Sequence, residues 1–101
     1  MIIVTGIAEV AEDGLETIRK AAKTMAAASR SEAGCRAYAF YEDIEQTGRF
    51  RIYEEWETIE ALRNHFATDH MAQFNKELAG ITLVRLDIDQ FERGKDVRAN
   101  A

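Results

Sequence analysis

The chain has 101 residues, a formal net charge of −5 and a single cysteine. This length indicates one domain, and the acidic balance argues against a general nucleic-acid binder, which needs a basic face. The lone Cys35 excludes an internal disulfide and a cysteine-rich zinc site. No apolar run reaches the roughly eighteen residues that a membrane helix requires, so we expect no membrane partner. The single cysteine makes a reducing cytoplasm the simplest compartment.

The first thirty residues are typical of a strand followed by a long helix. Apolar side chains occupy alternating positions on both sides of an extended segment, Ile2–Val10, so both of its faces should be covered. Asp13 followed by Glu16 resembles a capping box, and the apolar spacing beyond it predicts a helix to about Ser31. Gly34 is a natural stop after that helix.

Two more strands follow, joined by turn residues. Residues 35–43 alternate in the manner of a strand, and Arg49–Trp56 alternates again, with Phe50, Ile52, Glu54 and Trp56 on one side. The intervening residues 44–48 carry turn-forming types and predict a hairpin. These two strands should therefore be antiparallel neighbours.

The pattern becomes helical after Trp56. Ile59, Leu62 and Phe66 make one apolar stripe at helical spacing. Thr58 and Thr68 are each plausible N-caps, because a threonine hydroxyl can accept from an unpaired amide of the first turn. Two short helices are predicted in place of one, the second over residues 69–78.

A last strand is predicted over residues 81–91 after a stop at Gly80. The element order β-α-β-β-α-α-β predicts an α+β, ferredoxin-like split βαβ fold, with a four-stranded antiparallel sheet and helices on one face. The domain should span residues 1–93, with a polar tail over residues 94–101. The uncovered face of such a sheet would expose large side chains, so we expect a homodimer paired sheet to sheet.

Several residues together resemble the antibiotic biosynthesis monooxygenase family. They are Gly34-Cys35 with Tyr38, then Tyr53-Glu54-Glu55-Trp56, then His65-Phe66, Thr68-Asp69-His70-Met71 and Phe74. The resemblance covers roughly residues 2–91 and implies a dimeric α+β barrel with one pocket per subunit between sheet and helices. It also implies oxidation of quinols or phenolic compounds by O₂ without a flavin, a metal or any other cofactor.

The resemblance makes His65, Trp56 and His70 the candidate catalytic residues. A histidine can act as the base that deprotonates a phenol, whereas a structural role, a half-buried ring tethering helix to sheet, has equal weight for His65 and more weight for His70. Trp56 would line the pocket and stack on a flat substrate, although a lone tryptophan at a strand end is more often core.

The rest of the predicted substrate pocket is drawn from the same stretch and from the strand before it. Its members are Phe66, Phe74, Glu54, Ile52 and Tyr41. A buried Glu54 would need a partner, with Arg49 and Arg63 as the alternatives. The five-residue gap between His65 and His70 fits no standard metal motif, so no metal site is expected.

Three functions stay open on these grounds. The first is a small cofactor-independent monooxygenase acting on a quinol or phenolic aromatic. The second is a non-catalytic dimeric module that binds a ligand or a protein. The third is a haem-binding or haem-degrading relative, which is disfavoured because Thr5-Gly6-Ile7 and Asn75 stand where that branch of the family has an asparagine and an axial histidine.

Overall fold

The computed structural model describes residues 1–94 and contains one four-stranded antiparallel sheet with a helical layer on one face. The strands are β1 (Ile2–Val10), β2 (Cys35–Glu42), β3 (Arg49–Trp56) and β4 (Leu83–Glu92), in the order β2-β3-β1-β4. The helices are α1 (Leu15–Arg30), α2 (Ile59–Phe66) and α3 (Asp69–Leu78). The predicted ferredoxin-like α+β fold is confirmed. The tail predicted over residues 94–101 lies, from residue 95 onward, outside the described residues.

The core lies between the inner face of the sheet and the helices. Val4, Phe50 and Trp56 from the central strands pack with Met25 of α1 and Leu62 of α2. All five are buried, and burial of apolar side chains is the main stabilising contribution to such a domain. The inward-facing residues that strand alternation and helical spacing predicted thus form this core.

The start of α1 differs from the prediction. Glu12–Gly14 forms a short 3₁₀ turn, α1 begins at Leu15, and no side chain caps it. The predicted capping box of Asp13 and Glu16 is therefore wrong. Tertiary contacts decide this segment: the amide of Ala11 donates to the carbonyl of Thr82, and Gly14 packs closely against Val10 and Ile81.

Both predicted threonine caps are confirmed. Thr58 accepts from the amide of Ala61 at 3.1 Å, and Thr68 accepts from the amide of Met71 at 3.2 Å. The Thr68 hydroxyl also donates to the carbonyl of His65 at 2.7 Å. This second bond ties the start of α3 to the end of α2 and holds the helical break in place.

Two glycines permit close approaches that matter for the site. Gly34 adopts a positive φ of 82° in the turn between α1 and β2, a conformation that favours glycine. Gly6, in the middle of β1, faces β4, and a Cβ there would collide with the carbonyl oxygen of Asp87 and with the side chain of Ile88. The absence of a side chain at residue 6 allows β4 to lie against β1.

Among residues 1–94, no helix is long and apolar enough to cross a membrane.

Candidate functional site

Glu32, His65 and His70 meet in one polar cluster at the end of the helical layer. Oε2 of Glu32 lies 2.7 Å from Nδ1 of His65 and 2.7 Å from Nε2 of His70. The His65 side chain is 1% exposed, that of Glu32 13% and that of His70 23%. A single carboxylate oxygen therefore bridges two imidazoles, and only the His70 side of the cluster approaches solvent.

Three separate segments bring this cluster together. Glu32 lies in the turn after α1, His65 lies in the last turn of α2, and His70 lies in the first turn of α3. In a continuous helix, residues 65 and 70 would lie on different faces, because a helix has about 3.6 residues per turn and these positions are five apart. The break at Thr68 removes that constraint and lets both rings reach the same oxygen.

Trp56 lies directly beneath His65. The two ring centroids are 4.8 Å apart at an interplanar angle of 37°, and Tyr38 approaches His65 at 5.4 Å and Trp56 at 6.4 Å. The indole N–H of Trp56 donates to Oε1 of Glu54 at 2.9 Å. Trp56 is fully buried and Glu54 nearly so, so this arrangement is a packed network within the core.

The surroundings of Glu54 raise the pKa of its carboxyl well above the ordinary value. Burial raises the pKa of Glu54 to about 7, although the bond from Trp56 opposes the shift, and the carboxylate of Glu32 adds to it. Burial, together with the charge of Glu54, also raises the pKa of the Tyr38 phenol. Glu54 is thus a buried carboxyl that can exchange a proton near neutral pH, as a general acid or base does.

An apolar cavity of about 120 Å³ lies between the sheet and the helices, beyond this network. Aromatic rings from the sheet and from α3 form part of its wall, and Asn75 is the one polar side chain among its described lining residues. Leu86 and Ile88 of β4 are half-exposed at its margin. The full lining consists of Ala8, Ile18, Phe40, Phe50, Ile52, Met71, Phe74, Asn75, Leu78, Leu83, Leu86 and Ile88.

A short series of aromatic contacts connects the cavity with the network. Phe40 approaches Phe74 at 5.7 Å and Tyr38 at 5.7 Å, and Tyr38 in turn contacts His65. Along β3, Glu54 occupies the next inward-facing position after Ile52, which lines the cavity. Glu54 is therefore the titratable residue next to the cavity along this strand.

The structure divides the predicted site residues into three groups. Ile52 and Phe74 line the cavity. Glu54, Trp56, His65 and His70 form the adjacent network without lining the cavity. Tyr41 lies apart from both, and Phe66 lies at the surface beside His65 of the network.

Tyr41 and Phe66 are not brought to the cavity. Tyr41 is 59% exposed and borders a surface depression with Ile7 and Arg51 on the opposite face of the sheet. Phe66 is 55% exposed at the end of α2, where its ring lies beside that of His65. The strand alternation puts Tyr41 on the outer face, because it pairs with Arg51 and not with an inward-facing residue of β3.

Glu32 and most of the cavity lining were not predicted from the sequence. Glu32 lies 33 positions before His65, in a turn whose only recognised signal was Gly34. The expected partner of Glu54, Arg49 or Arg63, is also wrong: Trp56 donates to Glu54, and Arg49 lies 3.6 Å from Glu9. A carboxylate close to a glycine stop was the only signal that could have drawn attention to Glu32.

Comparisons with known proteins agree with this fold. An uncharacterised protein of Synechocystis is 37% identical over 73 residues, which are 72% of this chain and 50% of that protein, so the chain spans about half the length of this curated relative. A Deinococcus radiodurans structure, described as a candidate antibiotic biosynthesis monooxygenase, has a TM-score of 0.90 at 28% identity and covers 100% of both chains.

A second solved structure, from Bacteroides thetaiotaomicron, is a conserved protein of unknown function described as a candidate oxidoreductase. It is 32% identical, has a TM-score of 0.82, and the match covers 91% of this chain and 96% of that one. Residues 1–77 also match the family model of the antibiotic biosynthesis monooxygenases. Because this match covers most of the chain and the fold agrees with it, the chain belongs to the antibiotic biosynthesis monooxygenase family.

Proposed function

We propose that the protein is a cofactor-independent monooxygenase that uses O₂ to oxidise a single-ring hydroquinone to a hydroxyquinone, or a phenol to a quinone, with loss of water. The observation that carries the proposal is the apolar cavity, which has aromatic walls, one polar side chain at Asn75 and Glu54 at the next inward-facing position of β3. A dry site with a base and one hydrogen-bonding group is what flavin-free oxygenation requires of a protein.

The cavity volume limits the size of the substrate. A cavity of roughly 150 Å³ in another protein is known to hold benzene, and this cavity measures about 120 Å³. One aromatic ring with small substituents fits if the half-exposed Leu86 and Ile88 move slightly at the margin. A fused polycyclic compound would have to extend out of the cavity along β4.

In the proposed reaction, Glu54 takes the proton of a ring hydroxyl. The resulting anion is electron-rich and reduces O₂; one oxygen atom enters the ring, the other leaves as water, and the hydroquinone becomes a hydroxyquinone. The amide of Asn75 donates to the developing oxyanion. A pKa of about 7 suits Glu54 for this role, because it can both accept and release the proton near neutral pH.

Trp56, His65 and His70 have a supporting role in this proposal. The N–H of Trp56 orients the carboxylate of Glu54, and His65 stacks on the indole while Glu32 holds its Nδ1. His65, the base favoured by the sequence, is thus a positioning residue here. Its mutation should alter the rate by displacing Trp56.

Oxygen consumption tests the proposal directly. We expect the wild type to consume O₂ with substituted benzohydroquinones above the buffer rate, and Glu54→Gln to lose about 10²-fold or more in kcat. Glu60→Gln, a change of an exposed carboxylate on α2, is the matched control and should retain full activity. Equal rates for wild type and Glu54→Gln would refute the role of Glu54, and no O₂ uptake over a broad panel would refute the reaction.

A non-catalytic ligand-binding module is the second candidate. It is favoured by the absence of any titratable side chain from the described lining of the cavity. Saturable binding of a hydroquinone without turnover would support it. Haem binding fits less well, because a macrocycle is much larger than the cavity and Asn75 is a poor axial ligand; a Soret band on addition of hemin would revive that reading.

A further inference from the structure

The cluster of Glu32, His65 and His70 lies outside the cavity and has the composition of a metal site. Its three ligand atoms, one carboxylate oxygen and two imidazole nitrogens, all lie within 4.8 Å of one another. We propose that these three residues bind one divalent transition-metal ion of the zinc class. The proposal goes beyond the oxygenase function and does not depend on it.

The ligand types favour such an ion. Two histidines and one glutamate are the protein ligands of a well-known class of four-coordinate zinc sites, in which water takes the fourth position. Imidazole nitrogen suits zinc, cobalt, nickel and iron, whereas magnesium and calcium prefer sites made of oxygen alone. We therefore expect discrimination between Zn²⁺ and Mg²⁺.

The charge of the cluster also favours a cation. Within residues 1–94, the Glu32 carboxylate makes close contacts with the rings of His65 and His70, and no lysine or arginine lies within salt-bridge distance of it. Charged groups in partly buried positions are usually paired or coordinate a metal. A divalent ion held by both rings and the carboxylate would place positive charge beside Glu32.

The geometry needs a modest expansion. The two nitrogen–oxygen distances are 2.7 Å, whereas ligands about 2.1 Å from a tetrahedral ion lie about 3.4 Å apart. Binding would therefore move the Glu32 carboxylate away from both rings by a fraction of an ångström. In the metal-bound form, each ring would offer the ion the nitrogen that faces Glu32 and keep its N–H on the other nitrogen.

An access route exists on the His70 side. His70 borders a surface depression of about 70 Å³ between α1 and α3, together with Thr24, Gln73 and Glu77. The His70 ring is the most exposed ligand, whereas His65 is almost completely buried. An ion would reach His70 first and then displace Glu32 from its direct bonds to the rings.

The site would connect the turn after α1 to both sides of the α2–α3 break. Because its ligands come from three segments that are formed only in the folded chain, metal binding should stabilise the fold by mass action. A rise of the melting temperature with Zn²⁺ is therefore an independent signal of binding. None of the three ligands lines the cavity, so binding can be measured without any substrate.

The test uses the full chain without an affinity tag, freed of metal by a chelator that is then removed. Calorimetric titration should show one Zn²⁺ per chain for the wild type and no heat with Mg²⁺. Co²⁺ should give the visible absorption of a four-coordinate ion. Glu32→Gln and His70→Gln should each weaken Zn²⁺ binding at least tenfold and abolish the thermal shift, whereas the control Glu60→Gln should bind like the wild type.

Circular dichroism checks that each variant is folded. If Glu32→Gln unfolds, His70→Gln carries the comparison, because His70 is the more exposed ligand. The proposal is overturned if the wild type binds Zn²⁺ no more tightly than His70→Gln, or if neither Zn²⁺ nor Co²⁺ binds. Oxygen uptake after chelator treatment is a separate measurement, and its loss or retention does not alter this conclusion.

Discussion

The indole N–H of Trp56 donates to the carboxylate of Glu54 at 2.9 Å across two successive inward-facing positions of one strand. A strand places such residues on the same face about 7 Å apart along the chain, so the two long side chains can meet without any help from another element. The Glu54 carboxyl thus lies in the core with the neutral N–H of Trp56 as its donor. Burial raises the pKa of this carboxyl to about 7.

The first prediction concerns the pH dependence of stability. The pKa of Glu54 is about 4.3 in an unfolded chain and about 7 in the folded one, so the folded state binds more protons between these values. The contribution of protonated Glu54 to the free energy of unfolding is therefore full below pH 4.3, and it is lost as pH rises through 7. A shift of this size corresponds to on the order of 4 kcal/mol.

Urea unfolding of the wild type and of Glu54→Gln at several pH values measures this effect. The glutamine imitates the protonated carboxyl and does not titrate. We therefore expect the free energy of unfolding of the variant to increase relative to that of the wild type as the pH rises from 5 to about 8. Glu60→Gln should follow the wild-type curve. Parallel curves for the wild type and Glu54→Gln would contradict the assigned pKa.

The second prediction compares two phenylalanines on consecutive helices. Phe74 is 8% exposed and packs on Phe40 at the cavity, whereas Phe66 is 55% exposed. Phe74→Ala should lower the free energy of unfolding by about 3–5 kcal/mol, and Phe66→Ala by less than about 1 kcal/mol. Chemical denaturation measures both, and a loss of equal size in the two variants would show that α3 does not pack as described.

The third prediction concerns the margin of the cavity and rests on the proposed function. Leu86→Trp places a large ring at the half-exposed margin, where it should occupy the space for the substrate. We expect the affinity for a substituted benzohydroquinone, measured by calorimetry, to fall at least tenfold. Val84→Trp adds the same ring at a neighbouring residue outside the lining; if both variants bind like the wild type, the ligand lies elsewhere.

The fourth prediction is the homodimer, which remains a proposal. The outer face of the sheet carries Ile7 in the central strand and the exposed rings of Tyr41 and Phe91. A second copy packed on this face would cover them. Light scattering at micromolar concentration should give the mass of two chains for the wild type and of one for Ile7→Arg, with Gln46→Arg in the β2–β3 loop as the control. A monomeric wild type would contradict the proposal.

Local pattern was sufficient to predict the elements. The alternation in β3, the stripe of Ile59 and Leu62, and the hydroxyls of Thr58 and Thr68 are short-range signals, and the structure contains each of the elements that they predict. The capping box at Asp13 failed because contacts of Ala11 and Gly14 with residues near β4 override the local preference.

The site was less predictable, because it depends on contacts distant in sequence. Glu32 meets His65 and His70 only when the turn after α1 docks against the helical break. The cavity has lining residues from four strands and two helices, most of them ordinary apolar residues that a pattern identifies only as core. Periodicity shows which face is buried, but it cannot show where packing leaves a gap.

Gly6 has a consequence for the width of the cavity margin. Since a methyl group there would force β4 outward at Asp87 and Ile88, one small substitution on β1 would widen that margin without changing any residue of α3. We expect Gly6→Ala to admit bulkier molecules than the wild type, because backbone spacing limits access here as much as the surrounding side chains do.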